Sequence, residues 1–189
     1  MTMRSIVPAL LAIAVSTTGS LAQEWQSHYT DIALEECTLL STYELGATWA
    51  CPGYKGYPLM IMEGDLRFFV SYGFGAPDEM AARQSFPQFN TIGERLEWLT
   101  EEHVERGSMP QATILRYYLE PFEMDDPIDQ VLVVTKIEPG NTCRVAQVDA
   151  LRNQDANSLA REAAVKFVPG WDCETMTPQT IGQWGVEGL

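Results

Sequence analysis

The sequence predicts a β-dominated α+β protein: an antiparallel sheet, or a partly closed barrel, with a C-terminal helix packed on it and two disulfides. Three observations carry that expectation. Short runs rich in Val, Ile, Thr, Tyr and Phe recur along the chain, several with a period of two. One stretch near the C-terminus has apolar residues at helical spacing instead. Four cysteines, Cys37, Cys51, Cys143 and Cys173, can close two bridges that each bracket one local unit.

The elements follow in order. Residues 1–22 carry Arg4, an apolar run over 6–15 and small residues at Ser20 and Ala22. That layout predicts a secretory signal peptide, and the run is too short for a mature membrane span, which needs about 20 residues. Residues 23–189 then read as a single globular domain, since no repeat, low-complexity tract or linker divides them. The segment 23–29 is expected to be loose. Strands are expected at 37–41 and 48–51, tied together by a Cys37–Cys51 bridge. Two more, 58–63 and 66–72, flank Gly64-Asp65, a two-residue hairpin turn. In the second of these, Leu66, Phe68, Val70 and Tyr72 share one face and Arg67, Phe69 and Ser71 the other.

Residues 73–90 form a long connection with a helical turn expected at 77–83. Residues 91–106 fit a helix through a Thr91–Glu94 capping box, and a strand through the alternation around Leu96 and Trp98; the short distance to the next strand favours the strand. Strands are expected at 112–119, 131–137 and 143–149. The last two are joined by Glu138-Pro139-Gly140-Asn141, with Pro and Gly placed as a type II turn requires. Leu159, Ala160, Ala163, Ala164 and Phe167 define one face of the helix, which Asp155 or Asn157 caps and Pro169-Gly170 stops. A Cys143–Cys173 bridge pins it to the last hairpin.

Composition narrows function. Lys and Arg total 12 against 26 Asp and Glu, a formal charge of −14. Such a chain is a poor partner for nucleic acid, whose binding needs cations to displace counterions, and for anionic lipid. No stable membrane insertion is expected once the signal peptide is removed. An exported chain meets oxidising conditions, so the even number of cysteines reads as two structural disulfides.

Several stretches resemble a family of uncharacterised exported bacterial proteins: 64–73, 96–98, 112–118, 131–136, and Cys143 through 148–152 into the helix. The likeness spans most of 37–173. It favours a strand at 94–100 and supports the Cys143–Cys173 unit, and it implies export without implying an activity.

The recognisable catalytic patterns are missing from the sequence. There is no C-x-x-C, and His28 and His103 lie near no cysteine, so redox exchange and zinc binding are not expected. No G-x-S-x-G elbow or phosphate-binding glycine loop occurs. The acidic loop 123–129 lacks the EF-hand's glycine and terminal glutamate. No metal or cofactor is therefore assigned. Glu63, Asp65 and Asp149 are candidate carboxylates, and an inward Asp149 would need a partner such as Arg67, Arg116 or Arg144. Arg67 and Arg116 interrupt apolar strands beside Phe69, Tyr117 and Tyr118, which suggests a fork for an anion. Phe86 and Phe89 either tuck the long loop onto the core or offer a contact surface.

The candidate ligand-binding residues are thus Arg67, Phe69, Arg116, Tyr118, Phe86 and Phe89. The expected function is non-enzymatic binding or an accessory role in the envelope, periplasmic or extracellular, with a protein or glycan partner. The alternative is an acid/base hydrolase of envelope glycans using paired carboxylates.

Overall fold

The computed structural model describes residues 25–103, 107–123 and 125–188; the expected signal peptide, 1–22, lies outside them. In chain order the elements are β1 (Gln26–Asp31), β2 (Thr38–Tyr43), β3 (Gly46–Pro52), β4 (Pro58–Gly64), β5 (Arg67–Tyr72), β6 (Asn90–His103), β7 (Gly107–Leu119), β8 (Asp129–Lys136), β9 (Cys143–Asp149), α1 (Ala156–Phe167) and β10 (Gln179–Ile181). One sheet has the order β1-β6-β7-β8-β9-β10 and the other β2-β3-β4-β5. The six-stranded sheet is the middle of three layers, with the smaller sheet on one face and α1 on the other. The strands are β-dominated and mostly antiparallel, as the sequence predicts, and they close into no barrel. The exception to antiparallel pairing is β10, which runs parallel to β9.

Burial on both faces explains the near-continuous apolar run in β8. Val131 and Val133 face the smaller sheet with Leu115, Tyr117, Ile61 and Val70. Leu132 and Val134 face the helix with Ile114, Ala160 and Ala164. The two interfaces differ in side-chain size. Between the sheets, buried Trp98 meets Tyr57 and Tyr72 edge-on, at ring distances of 6.1 and 5.7 Å. Gly53 makes room for this ring: a Cβ there would stand 2.4 Å from the indole. On the other face Ala156, Ala160, Ala163 and Ala164 are buried, so the helix backbone can approach the sheet closely.

Residues 90–103 form one long strand, paired with β1 on one side and β7 on the other. The helical alternative fails because both ladders use this backbone. The expectation of a loose 23–29 is corrected for its described part: β1 pairs with β6 from Gln26 opposite Thr100 to Asp31 opposite Arg95. Its mixed polar sequence suits an edge strand, and the Thr30 hydroxyl accepts a bond from the Trp98 indole at 2.8 Å. The turn expected at Gly64-Asp65 is also shifted by one residue. Gly64 is held in the ladder opposite both Gly46 and Arg67. Asp65 and Leu66 make the turn, with φ of 51° and 60°, which matches the twist of a tight hairpin.

Both disulfides join the pairs expected from spacing. Cys37–Cys51 links the start of β2 to the end of β3, with Cα atoms 4.5 Å apart. Cys143–Cys173 links the start of β9 to the segment after α1, with Cα atoms 5.8 Å apart. At the β8–β9 turn the Asn141 N–H donates to Glu138 O at 2.8 Å, and Gly140 takes a φ of 77°. That is the type II geometry in which only glycine is relaxed at the third position.

Candidate ligand groove

All three layers end on the same side of the molecule. There the start of β4, the end of β5, the β6–β7 and β8–β9 ends and the C-terminus of α1 surround a groove of about 920 Å³. Its apolar lining includes Trp25, Tyr57, Phe74, Met109, Pro139 and Val165, and its polar lining includes Glu79, Glu101, Gln111, Lys136 and Glu138. Phe74 stands 90% exposed. Its ring meets Tyr57 edge-on at 6.4 Å, and Tyr57 in turn meets Trp98. An aromatic column therefore runs from solvent into the core. Burial and the nearby Glu79 charge raise the pKa of the Tyr57 hydroxyl.

Most of the groove's charges already have structural work. The buried Glu79 accepts the Gly140 N–H at 2.7 Å through one oxygen and the Thr142 N–H at 3.0 Å through the other. Lys136 donates to the Trp171 carbonyl at 2.6 Å and pairs with Glu138 at 2.6 Å. Those contacts, Lys136 first and then Asn141, hold the Glu138 carboxyl below its ordinary range. A general acid for glycoside hydrolysis needs the opposite shift.

The six residues singled out in the sequence do not converge. Arg67, on β5, pairs with Asp65 at 2.7 Å, donates to the Pro87 carbonyl at 3.0 Å and stacks on Phe89 at 4.8 Å. Phe69 lies on the same strand. Arg116 and Tyr118 lie on β7 in the other sheet, where Arg116 donates to Gln130 at 2.9 Å. Alternation along β7 turns both toward the helix side, while Tyr117 faces the inter-sheet core. Phe86 is buried and meets Tyr117 edge-on at 5.3 Å, so it anchors the long loop. Phe89 remains partly exposed beneath Arg67.

The arginine partner expected for Asp149 is corrected. The carboxylate is buried, and it accepts N–H bonds from Leu151, Arg152 and Gly185 at 2.9, 3.0 and 3.0 Å. Backbone donors at the strand end reach it before any guanidinium. Arg144, another proposed partner, lies buried over the Phe86 ring at 4.1 Å, and burial lowers its pKa. The buried Glu97 does find an arginine: Arg161 of the helix donates to it at 2.6 and 3.2 Å, and the Ser27 hydroxyl adds a third bond. That network joins helix to sheet. Among the described residues, no group of three or more His, Cys, Asp and Glu is placed to hold a metal, and no helix is long and apolar enough to cross a membrane. The His103 side chain lies outside them.

Trp25, Tyr57 and Phe74 were not identifiable as a set from sequence, because 32 and 17 positions of chain separate them. One local signal was present: Phe74 stands between two glycines, a poor context for a core aromatic. No family model, curated protein or solved structure matches this chain.

Proposed function

We propose that this is an exported, non-enzymatic binding protein of the cell envelope, and that its groove takes a neutral glycan. The observation that carries this reading is the set Trp25, Tyr57 and Phe74 beside Gln111 and Glu138 in one groove. Aromatic faces pack against the C–H face of a sugar ring, while amides and carboxylates accept bonds from its hydroxyls. The acidic surroundings disfavour anionic ligands. The two disulfides support export, and the proposed kinship with exported bacterial proteins agrees with it. Hydrolysis has weaker support. Glu79 has both oxygens committed to backbone amides, and Glu138 is held in its charged form.

The test is a glycan array followed by titration calorimetry on the best ligand. Trp25→Ala and Phe74→Ala are expected to weaken binding by about tenfold each, the loss of one stacked ring at about 1.4 kcal/mol. Intact oligosaccharide is expected after prolonged incubation. Unchanged affinity in both variants, or release of shorter sugars, would overturn the reading.

A further inference from the structure

The edge of the four-stranded sheet at β2 lies open along its whole length, unlike the edges at β5 and β1. All six residues of Thr38–Tyr43 are exposed, on both faces. None is charged, although the chain carries −14 overall. Leu39, Leu40 and Tyr43 are each at least half exposed, and Leu45 and Leu66 extend the apolar strip past the turn. Proteins ordinarily protect such an edge with charge, proline or a covering segment. The opposite edge of this same sheet is covered: β5 receives Asn90 and Ser85, which bond the Phe68 backbone at 3.0 and 2.7 Å. The edge strand β1 has Ser27 and Tyr29 tied into the Glu97–Arg161 network.

We propose that β2 is a docking site for an extended segment of a partner protein, which joins the smaller sheet as a fifth strand and carries basic residues at both ends. Main-chain bonds supply the affinity in this mode, and flanking side chains supply selectivity. The charges around β2 choose the partner. Glu35 and Glu36 precede the strand and Glu44 follows it, all exposed, and no cation among the described residues pairs with them. An antiparallel second copy centred on β2 would bring Glu44 of one chain against the Glu35–Glu36 end of the other, so self-pairing meets like charge at both ends. A strand with Lys or Arg at its ends meets opposite charge at both. The Cys37–Cys51 bridge holds β2 to β3 before any partner arrives, which lowers the ordering cost of binding. The site is separate from the groove, which β2 does not line.

The probes are the peptides KKTVTVTVKK and EETVTVTVEE, titrated against the disulfide-intact protein. Thr42 is adjacent to the pair that closes the β2–β3 turn, Tyr43 opposite Gly46, so its N–H points away from β3. Thr42→Pro removes that donor without changing net charge, and an edge strand tolerates proline. The basic peptide is expected to bind the native protein about tenfold or more tightly than it binds Thr42→Pro, and the acidic peptide is expected not to bind. N-methylation of the central residues of the basic peptide, which removes its main-chain donors at unchanged charge, is expected to weaken binding too and serves if the proline variant misfolds. Equal binding to native and edge-blocked protein would reduce the effect to bulk charge attraction and overturn the proposal. So would no binding of the basic peptide, or a dimer of the native chain that Thr42→Pro converts to monomer.

Discussion

The two disulfides staple regions of opposite character. Cys143–Cys173 closes a unit that is already buried: both cysteines, Trp171, and the alanine face of α1 lie in one core. Cys37–Cys51 closes a hairpin whose outer strand contributes no buried side chain. In the first region the bridge adds to packing. In the second it substitutes for packing, and holds in place a strand that burial alone would leave free to fray. Local order in a small domain can thus come from apolar area or from a covalent link, and the region that relies on the link keeps its surface available.

Substitutions that break this contrast differ widely in expected effect. The largest is Trp98→Ala, which removes a fully buried ring from the inter-sheet core and is expected to cost about 3–5 kcal/mol in chemical denaturation. Leu40→Ala on the exposed edge is expected to stay within about 0.5 kcal/mol. Next come the bridges. The Cys143→Ser/Cys173→Ser pair is expected to lose about 3.5 kcal/mol of global stability. Cys37→Ser/Cys51→Ser is expected to lose less and to show it locally, as fast amide exchange along β2 while β7 and β8 stay protected. Equal losses with uniform exchange would erase the contrast.

Arg161→Met leaves the buried Glu97 with Ser27 alone. Because the arginine is itself 41% exposed at its side chain, the expected loss is about 1–2 kcal/mol, below the usual cost of breaking a fully buried pair. The smallest effect is at Asp129. Burial first, then the charges of Asp149 and Glu187, raise its carboxyl pKa. The folded chain therefore binds this proton more tightly than the unfolded chain does, so stability falls as pH rises from the ordinary carboxylate value through the folded pKa. Asp129→Asn removes that penalty. Its stabilisation is expected to be present at neutral pH, well under about 1 kcal/mol, and absent at the acid end; a uniform shift across pH would point to a packing effect instead.

What could be read from sequence was what short-range chemistry dictates. The Pro139-Gly140 turn, the alternation in β5, the alanine face of α1 and both cysteine pairings are each set by residues near one another in the chain. The choices made by distant segments were not legible. β1 has little apolar pattern because it sits at an edge, and its partner β6 lies some 70 positions away. The division of the strands between two sheets depends on which hydrophobic faces meet. Asp149 was recognised as needing a partner, but its donors include Gly185, brought in by the C-terminal segment. The candidate arginines were chosen for chemical type, and the fold put them in different sheets. The groove exists only because three layers end together, and no single stretch of sequence encodes that.

The binding role of the groove is tested most directly by amide and indole chemical-shift mapping of the disulfide-intact protein during titration with neutral envelope oligosaccharides. Shifts are expected at the Trp25 indole and at Tyr57, Phe74 and Gln111, saturating together and leaving the sugar intact. Shifts confined to other surfaces, or no shift at saturating sugar, would contradict a ligand seated where the three layers end.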